Sequence, residues 1–144
     1  MHPEETIDFH IRWAWAKMSK AYNVEAAKKG GTMAMAFLLL NIDKEGTPAT
    51  SLGPKMGMEP TSLTRILKTL EADGYIERKP AKDDGRKVLV SLTQKGKNYR
   101  DVSKQKVIQM NERMRSAIPQ NKLNTFFEVI QTINKELDKN NIFS

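Results

Sequence analysis

Short hydroxyl side chains and long cations alternate with leucines in the segment that follows Pro60. A hydroxyl group can donate or accept a hydrogen bond at short range, and arginine offers two parallel donors that match the edge of guanine. The residues of this first group are Thr61, Ser62, Thr64, Arg65 and Lys68. A second, more basic group comes about twenty residues later and consists of Lys79, Lys82, Arg86 and Lys87. Side chains of these types are suited to contact phosphates and base edges of a nucleic acid.

The distribution of charge agrees with a polyanionic partner. The chain of 144 residues has a formal net charge of +7. Residues 1–46 contain six basic and six acidic residues, whereas residues 47–106 contain thirteen basic and seven acidic ones. The excess is therefore concentrated in the segment that contains both groups, as expected for an electrostatic footprint. The alternative is that the lysines and hydroxyls are ordinary solvated surface residues that keep the protein in solution.

Enzyme chemistry has little support in the sequence. The chain contains no cysteine, which excludes disulfides, thiolate metal ligands, a cysteine nucleophile and thiol redox sensing. The two histidines, His2 and His10, have no partner at metal-ligand spacing. Asp83 and Asp84 are adjacent in a predicted turn and point apart, and Gly30-Gly31 lacks the lysine that a phosphate-binding loop requires. We therefore predict neither an enzyme, nor a metal site, nor a cofactor.

The length and the apolar segments predict one soluble domain over residues 1–144. The longest apolar run, Met33 to Leu40, has eight residues, whereas a membrane-spanning helix needs about 20. The N-terminal segment is acidic and has no apolar core of the kind that secretory signals contain. A cytoplasmic location is the expectation.

Periodicity predicts the helices that must position the two groups. A helix over residues 7–27 has two apolar stripes, which is typical of a helix that packs on its own domain and on a partner chain. Thr32 is predicted to cap a buried helix, and Thr47 a short helix over residues 48–56 in which Pro54 causes a kink or a 3₁₀ turn. Pro60 begins the next helix, which Gly74 ends.

After Gly74 the apolar period changes from about 3.6 to 2. Residues 75–79 and 88–92 are predicted to form a β-hairpin, with the turn Asp83-Asp84-Gly85 between them and a positive φ tolerated at Gly85. Thr93 then caps a long helix that ends near residue 117, and Pro119 begins a last helix rich in phenylalanine. Two short helices, a glycine turn and a basic hairpin are the order of a winged helix-turn-helix.

The segment MGMEPTSLTRILKTLEADGYIERKPAKDDGRKVLVSLTQKGK resembles the MarR family of bacterial transcriptional regulators. The resemblance covers about 60 residues between Leu38 and Lys97. It implies that the wing aspartate, Asp84, orients basic residues and that the wing arginine, Arg86, enters the minor groove. Gly85 stands where many relatives have a second arginine. The predicted DNA-binding residues are Pro60, Thr61, Ser62, Thr64, Arg65, Lys68, Lys82, Asp84, Arg86 and Lys87.

The resemblance also implies homodimers joined through the first and last helices, and a small aromatic or anionic effector. By position, Trp13, Met33, Phe37 and Met110 are the predicted effector-binding residues, although core filling is the alternative explanation for the methionines. Peroxide sensing through cysteine, which one branch of the family uses, is excluded by the composition.

The fold class is therefore predicted as mainly α with a small antiparallel β-hairpin. A winged helix-turn-helix lobe over about residues 32–93 is flanked by dimerisation helices over about 7–28 and 94–142. The predicted function is sequence-specific binding of a palindromic double-stranded DNA operator by a homodimeric repressor that an effector releases. The alternative is a nucleic-acid-binding adaptor that uses a winged helix without ligand control.

Overall fold

A computed structural model describes residues 1–143 and shows six helices with one small antiparallel sheet. A short 3₁₀ turn at Pro3–Glu5 precedes them. The elements are α1 (Ile7–Ala27), α2 (Met33–Leu40), β1 (Thr47–Pro48), α3 (Ala49–Met56), α4 (Pro60–Ala72), β2 (Ile76–Pro80), β3 (Val88–Leu92), α5 (Gln94–Ala117) and α6 (Gln120–Leu137). The chain divides into two compact units, one up to Lys106 and one from Val107 onward, so that the single-domain interpretation stays a prediction.

Thr32 begins α2, and Gly57 and Gly74 end α3 and α4, as the sequence predicts, whereas the cap of α1 at Thr6 was not predicted. The Thr6 hydroxyl accepts a hydrogen bond from the amide of Phe9 at the start of α1, and the Thr32 hydroxyl accepts one from the amide of Met35 at the start of α2. Gly57 and Gly74 follow α3 and α4 with φ values of 61° and 78°, a left-handed conformation that favours glycine.

The sheet has three strands in the order β1-β3-β2, one more than predicted. β2 and β3 form the expected hairpin, and β1 adds to its other side with Thr47 opposite Val90. The prediction that Thr47 caps a helix is wrong, because Thr47 lies in β1 and Pro48 takes the capping position of α3. The buried Thr47 hydroxyl instead accepts a hydrogen bond of 2.8 Å from the amide of Asp43 and so holds the preceding turn.

The structure also bears on two local features, Pro54 in α3 and Gly85 in the turn of the hairpin. Pro54 lies inside α3, which is α-helical from Ala49 to Met56, so the predicted 3₁₀ turn is wrong. An exposed position in an eight-residue helix tolerates the proline, because only one backbone hydrogen bond is lost. Gly85 is not among the glycines with positive φ, and the turn therefore does not use its conformational freedom.

The core of the first unit lies between α2, α3, α4 and the sheet. Leu38, Leu39, Leu52, Leu70 and Val90 are fully buried and form one cluster with neighbouring apolar residues. A fully buried leucine or valine contributes roughly 1.5–3 kcal/mol, so this cluster fixes α4 firmly on the sheet. The opposite face of α4 remains in solvent.

The second unit contains the C-terminal part of α5 and all of α6. Leu123 is buried, whereas Phe126, Val129 and Leu137 have exposed fractions of 55%, 52% and 61%. The rings of Phe126 and Phe127 are 5.8 Å apart. This helix presents an apolar face to solvent.

Candidate nucleic-acid interface

The exposed face of α4 carries the first group of predicted contact residues. Leu63, Leu67 and Leu70 are buried on the other face, which turns the hydroxyls and cations outward. An open depression of about 480 Å³ runs along the outer face and is lined by Pro60, Thr61, Thr64, Arg65 and Lys68. Ser62 is half-buried and does not line the depression. α3 and α4, joined through Gly57, form the helix-turn-helix.

The polar groups of this face are available for a ligand. The Thr64 hydroxyl donates a hydrogen bond of 2.8 Å to the carbonyl of Pro60, which leaves its oxygen free to accept. Arg65 and Lys68 are exposed and form no ion pair with any carboxylate in residues 1–143. The first turn of a helix also has backbone amides without helical partners, which suit a phosphate group. The face therefore offers donors, acceptors and unpaired positive charge together.

The wing is the loop of residues 81–87 between β2 and β3. Two backbone hydrogen bonds close it, from the amide of Ala81 to the carbonyl of Lys87 and from the amide of Lys87 to the carbonyl of Asp84. One carboxylate oxygen of Asp84 accepts hydrogen bonds from the amide and from Nε of Arg86, at 3.0 and 3.3 Å. The Arg86 side chain is 94% exposed. Asp84 thus orients the Arg86 side chain through Nε, and the rest of the guanidinium group is left exposed to solvent.

Lys82 and Lys87 are the other cations of the wing. Both are exposed, and neither forms an ion pair within the described part of the chain. Lys79, at the end of β2, is paired with Glu77 at 3.3 Å. The wing therefore presents one oriented arginine and two unpaired lysines.

The four predicted effector-binding residues lie in different surroundings. Trp13 is 52% exposed and contacts Phe9 and Lys17 on its own helix. Phe37 packs against Tyr22, with ring centroids 5.5 Å apart, and Met33 lies one turn before it on α2. Met110 belongs to the second unit. That these residues line a common cavity stays a prediction.

Between residues 1 and 143, no group of three or more histidine, aspartate or glutamate side chains could hold a metal ion. None of the helices in that range is both long and apolar enough to cross a membrane.

Three helices and a three-stranded sheet, with an outward helix and a basic loop beside it, define a winged helix-turn-helix protein. The sequence model of the MarR family matches residues 32–88. The organic hydroperoxide resistance transcriptional regulator of Bacillus subtilis is 37% identical over 97 residues, which are 67% of this chain and 66% of that protein.

Solved structures of other proteins share this fold over nearly the whole chain. S. aureus MepR, solved in complex with DNA, superposes with a TM-score of 0.84 at 14% identity and covers 92% of this chain and 99% of its own. CouR from Rhodococcus jostii RHA1, solved with p-coumaroyl-CoA, superposes with a TM-score of 0.80 at 22% identity. The match covers 92% of this chain and 94% of CouR. The curated relatives are matched over 32% to 66% of their own lengths. Residues 32–88 therefore form a domain of the MarR family, and the chain shares its fold with these solved structures.

Proposed function

We propose that the protein binds double-stranded DNA in a sequence-specific manner and regulates transcription. The observation that carries this proposal is the outer face of α4, where Arg65 and Lys68 stand unpaired beside Thr61 and Thr64. An α-helix fits the major groove, where arginine can read guanine through two hydrogen bonds. The exposed Arg86 on the wing suits the minor groove, whose negative potential attracts cations. The fold shared with MepR, which was solved with DNA, supports the same partner.

We further propose that the functional unit is a homodimer. On α1, Ile7, Trp13 and Trp15 have exposed fractions of 62%, 52% and 51%. On α6, Phe126 and Leu137 are exposed to a similar degree. Several large apolar side chains exposed together on one helix face are typical of an interaction surface. Two-fold symmetry would place two copies of α4 in successive major grooves about 34 Å apart, so that the operator is a palindrome with half-sites about 10 base pairs apart.

A repressor that a small aromatic or anionic effector releases is the mode of regulation we propose. CouR was solved with p-coumaroyl-CoA, a ligand that is both aromatic and anionic. Trp13, Met33, Phe37 and Met110 are the residues we propose for effector contact. Because the chain has no cysteine, the effector is not sensed by thiol oxidation. We propose no catalytic activity, and a DNA partner implies action in the cytoplasm.

Selection of bound fragments from genomic DNA by the full-length protein tests the central proposal. The expected result is a palindromic motif that is retained at physiological salt, and a particle of twice the 16.4 kDa chain mass in light scattering. A selected motif without two-fold symmetry, or a stable monomer at micromolar concentration, would contradict the dimeric operator complex.

The alternative proposal, a winged-helix adaptor without ligand control, is distinguished by the effector. A set of aromatic carboxylates and their thioesters would be added to the purified complex with the selected operator. Release by one of them supports the regulator, whereas unchanged binding throughout the set favours the adaptor.

A further inference from the structure

The turn that follows α4 is held by the first turn of α5. Three successive backbone carbonyls of this turn accept hydrogen bonds from only two residues. Lys95 Nζ donates to the carbonyl of Asp73 at 2.7 Å, the Thr93 hydroxyl donates to Gly74 at 2.6 Å, and the Thr93 amide donates to Tyr75 at 3.1 Å. The C-terminal end of a helix carries partial negative charge, so a lysine is the favourable partner there.

Aromatic contacts extend this attachment along α5. Lys95 Nζ also lies 4.4 Å from the centroid of the Tyr75 ring, within range of a cation–π interaction. The Tyr75 ring meets the Tyr99 ring edge to face, with centroids 5.2 Å apart. The Tyr99 hydroxyl is buried beside Gly31, where a Cβ atom would overlap it. Burial raises the pKa of this phenol.

Gly96 makes the close approach of α5 to the turn after α4 possible. A Cβ atom at this position would overlap the carbonyl oxygen of Tyr75. Glycine in the interior of a helix costs roughly 0.5–1 kcal/mol relative to alanine, which is an upper value for the first turn. This cost is offset by contact with the backbone of the turn, which no other residue would permit.

We propose that Lys95, together with Tyr75 and Tyr99, is a positioning device that fixes the end of α4 against α5 and so sets the angle at which α4 meets DNA. The inference rests on the proposed DNA-binding function. Lys95 is a positioning residue that acts through the carbonyl of Asp73 and the ring of Tyr75 and does not itself contact DNA. A recognition side chain needs its geometry held to about 0.5 Å, and loss of the attachment therefore lowers specific binding.

The experiment compares Lys95→Met with Lys97→Met in the full-length protein on the selected operator. Lys97 is an exposed lysine on the same turn of α5 without an ion pair in residues 1–143, which makes it the matched control for charge. Binding to the operator and to a scrambled duplex is measured at several salt concentrations. Lys95→Met should weaken operator binding about tenfold, comparable with the loss of one charge-assisted hydrogen bond. Binding to the scrambled duplex and the salt slope should change little.

Lys95→Arg and Lys95→Gln test the chemistry of the contact. Arginine keeps the charge, the donor and the stacking on Tyr75 and should restore most of the affinity, whereas glutamine keeps a neutral donor and should restore only part of it. Thermal unfolding of each variant shows whether the protein is folded before binding is compared.

The results separate this inference from the proposed function. Equal, small losses for Lys95→Met and Lys97→Met would overturn the positioning role while leaving DNA binding intact. If Lys95→Met lost operator affinity and its slope of log affinity against log salt were also shallower by about one per subunit, the positioning role would be overturned too. Lys95 would then be a phosphate contact. If the wild-type protein selects no operator at all, the proposed function fails first.

Discussion

Gly85→Arg should turn the wing of this protein into a stronger DNA-binding element. Gly85 lies between Asp84 and the oriented Arg86, its φ is not positive, and a Cβ atom built on it meets nothing within 4 Å. An arginine can therefore be accommodated without strain. Removing a glycine also lowers the entropy of the unfolded chain, so the variant should be as stable as wild type or more stable by up to about 1 kcal/mol.

The magnitude follows from counterion release. Each new phosphate contact changes the slope of log affinity against log salt by about −0.9. A dimer gains two contacts, which makes its slope steeper by about 1.8. A tenfold rise in salt should then cost the variant about 60-fold more affinity than it costs wild type.

The assay is fluorescence anisotropy on a labelled operator at a series of salt concentrations, with thermal unfolding in parallel. Gly85→Gln is the matched control, because it adds a long polar side chain without charge. A wild-type slope in both variants would contradict the prediction, since the wing tip would then lie away from the DNA backbone. Destabilisation of the protein by Gly85→Arg would also contradict it, since the position would then not be open.

Four other substitutions have distinct expected outcomes. Arg65→Ala should cost about 1–3 kcal/mol of binding free energy at one base pair of each half-site. Arg86→Ala should weaken binding to many sequences and make the slope of log affinity against log salt shallower by about one per subunit. Competition with matched and mismatched operators separates the two effects. Thr47→Val leaves the amide of Asp43 without its partner and should cost about 1 kcal/mol in urea unfolding, in contrast to Thr61→Val at an exposed site. Hydrogen bonds from Lys28 and then from Lys106 hold the pKa of Glu25 below its usual 4.5. The ionised Glu25 therefore stabilises the fold above pH 4.5, and this stabilisation is lost as the pH falls below the pKa in the folded protein. Glu25→Gln should be less stable than wild type near neutrality, and melting curves should show the difference vanish in acid.

Much of the fold could be predicted because its signals are local. The step of three and four in Leu63, Leu67 and Leu70 specifies which face of α4 is buried, and Gly57 and Gly74 stand where left-handed backbone is needed. The strand at Thr47–Pro48 could not be predicted in the same way. Two residues have no measurable period, and the pairing of Thr47 with Val90 joins segments more than forty residues apart. A threonine before a proline is also a common start of a helix, and here the tertiary pairing overrides that local preference.

The contacts around Lys95 were beyond sequence reasoning for a related reason. Periodicity assigns Gly96 and Tyr99 to a helix but gives no partner for either, because their partners, Tyr75 and Gly31, lie on distant segments. One signal was present in the sequence, namely a glycine in the first turn of a long helix, which is unfavourable unless something must approach closely. The contact of Asp84 with Arg86 could be predicted by resemblance alone, since the types of two charged residues in a turn do not fix the geometry of their side chains.

The two faces of α4 separate the residues that pack in the core from those proposed to contact DNA. The leucines that fix the helix on the core and the residues that line its outer face occupy separate stripes of the same thirteen-residue helix. Substitutions at exposed positions away from such structural features usually change stability by less than about 0.5 kcal/mol. Thr61, Arg65 and Lys68 can therefore vary without cost to the fold, whereas Leu67 and Leu70 cannot. If α5 holds the end of α4 through Lys95, the angle of the helix is set independently of its outer residues. If the proposed function holds, a change at Arg65 should alter which base is read, and a change at Lys95 should alter how well any base is read.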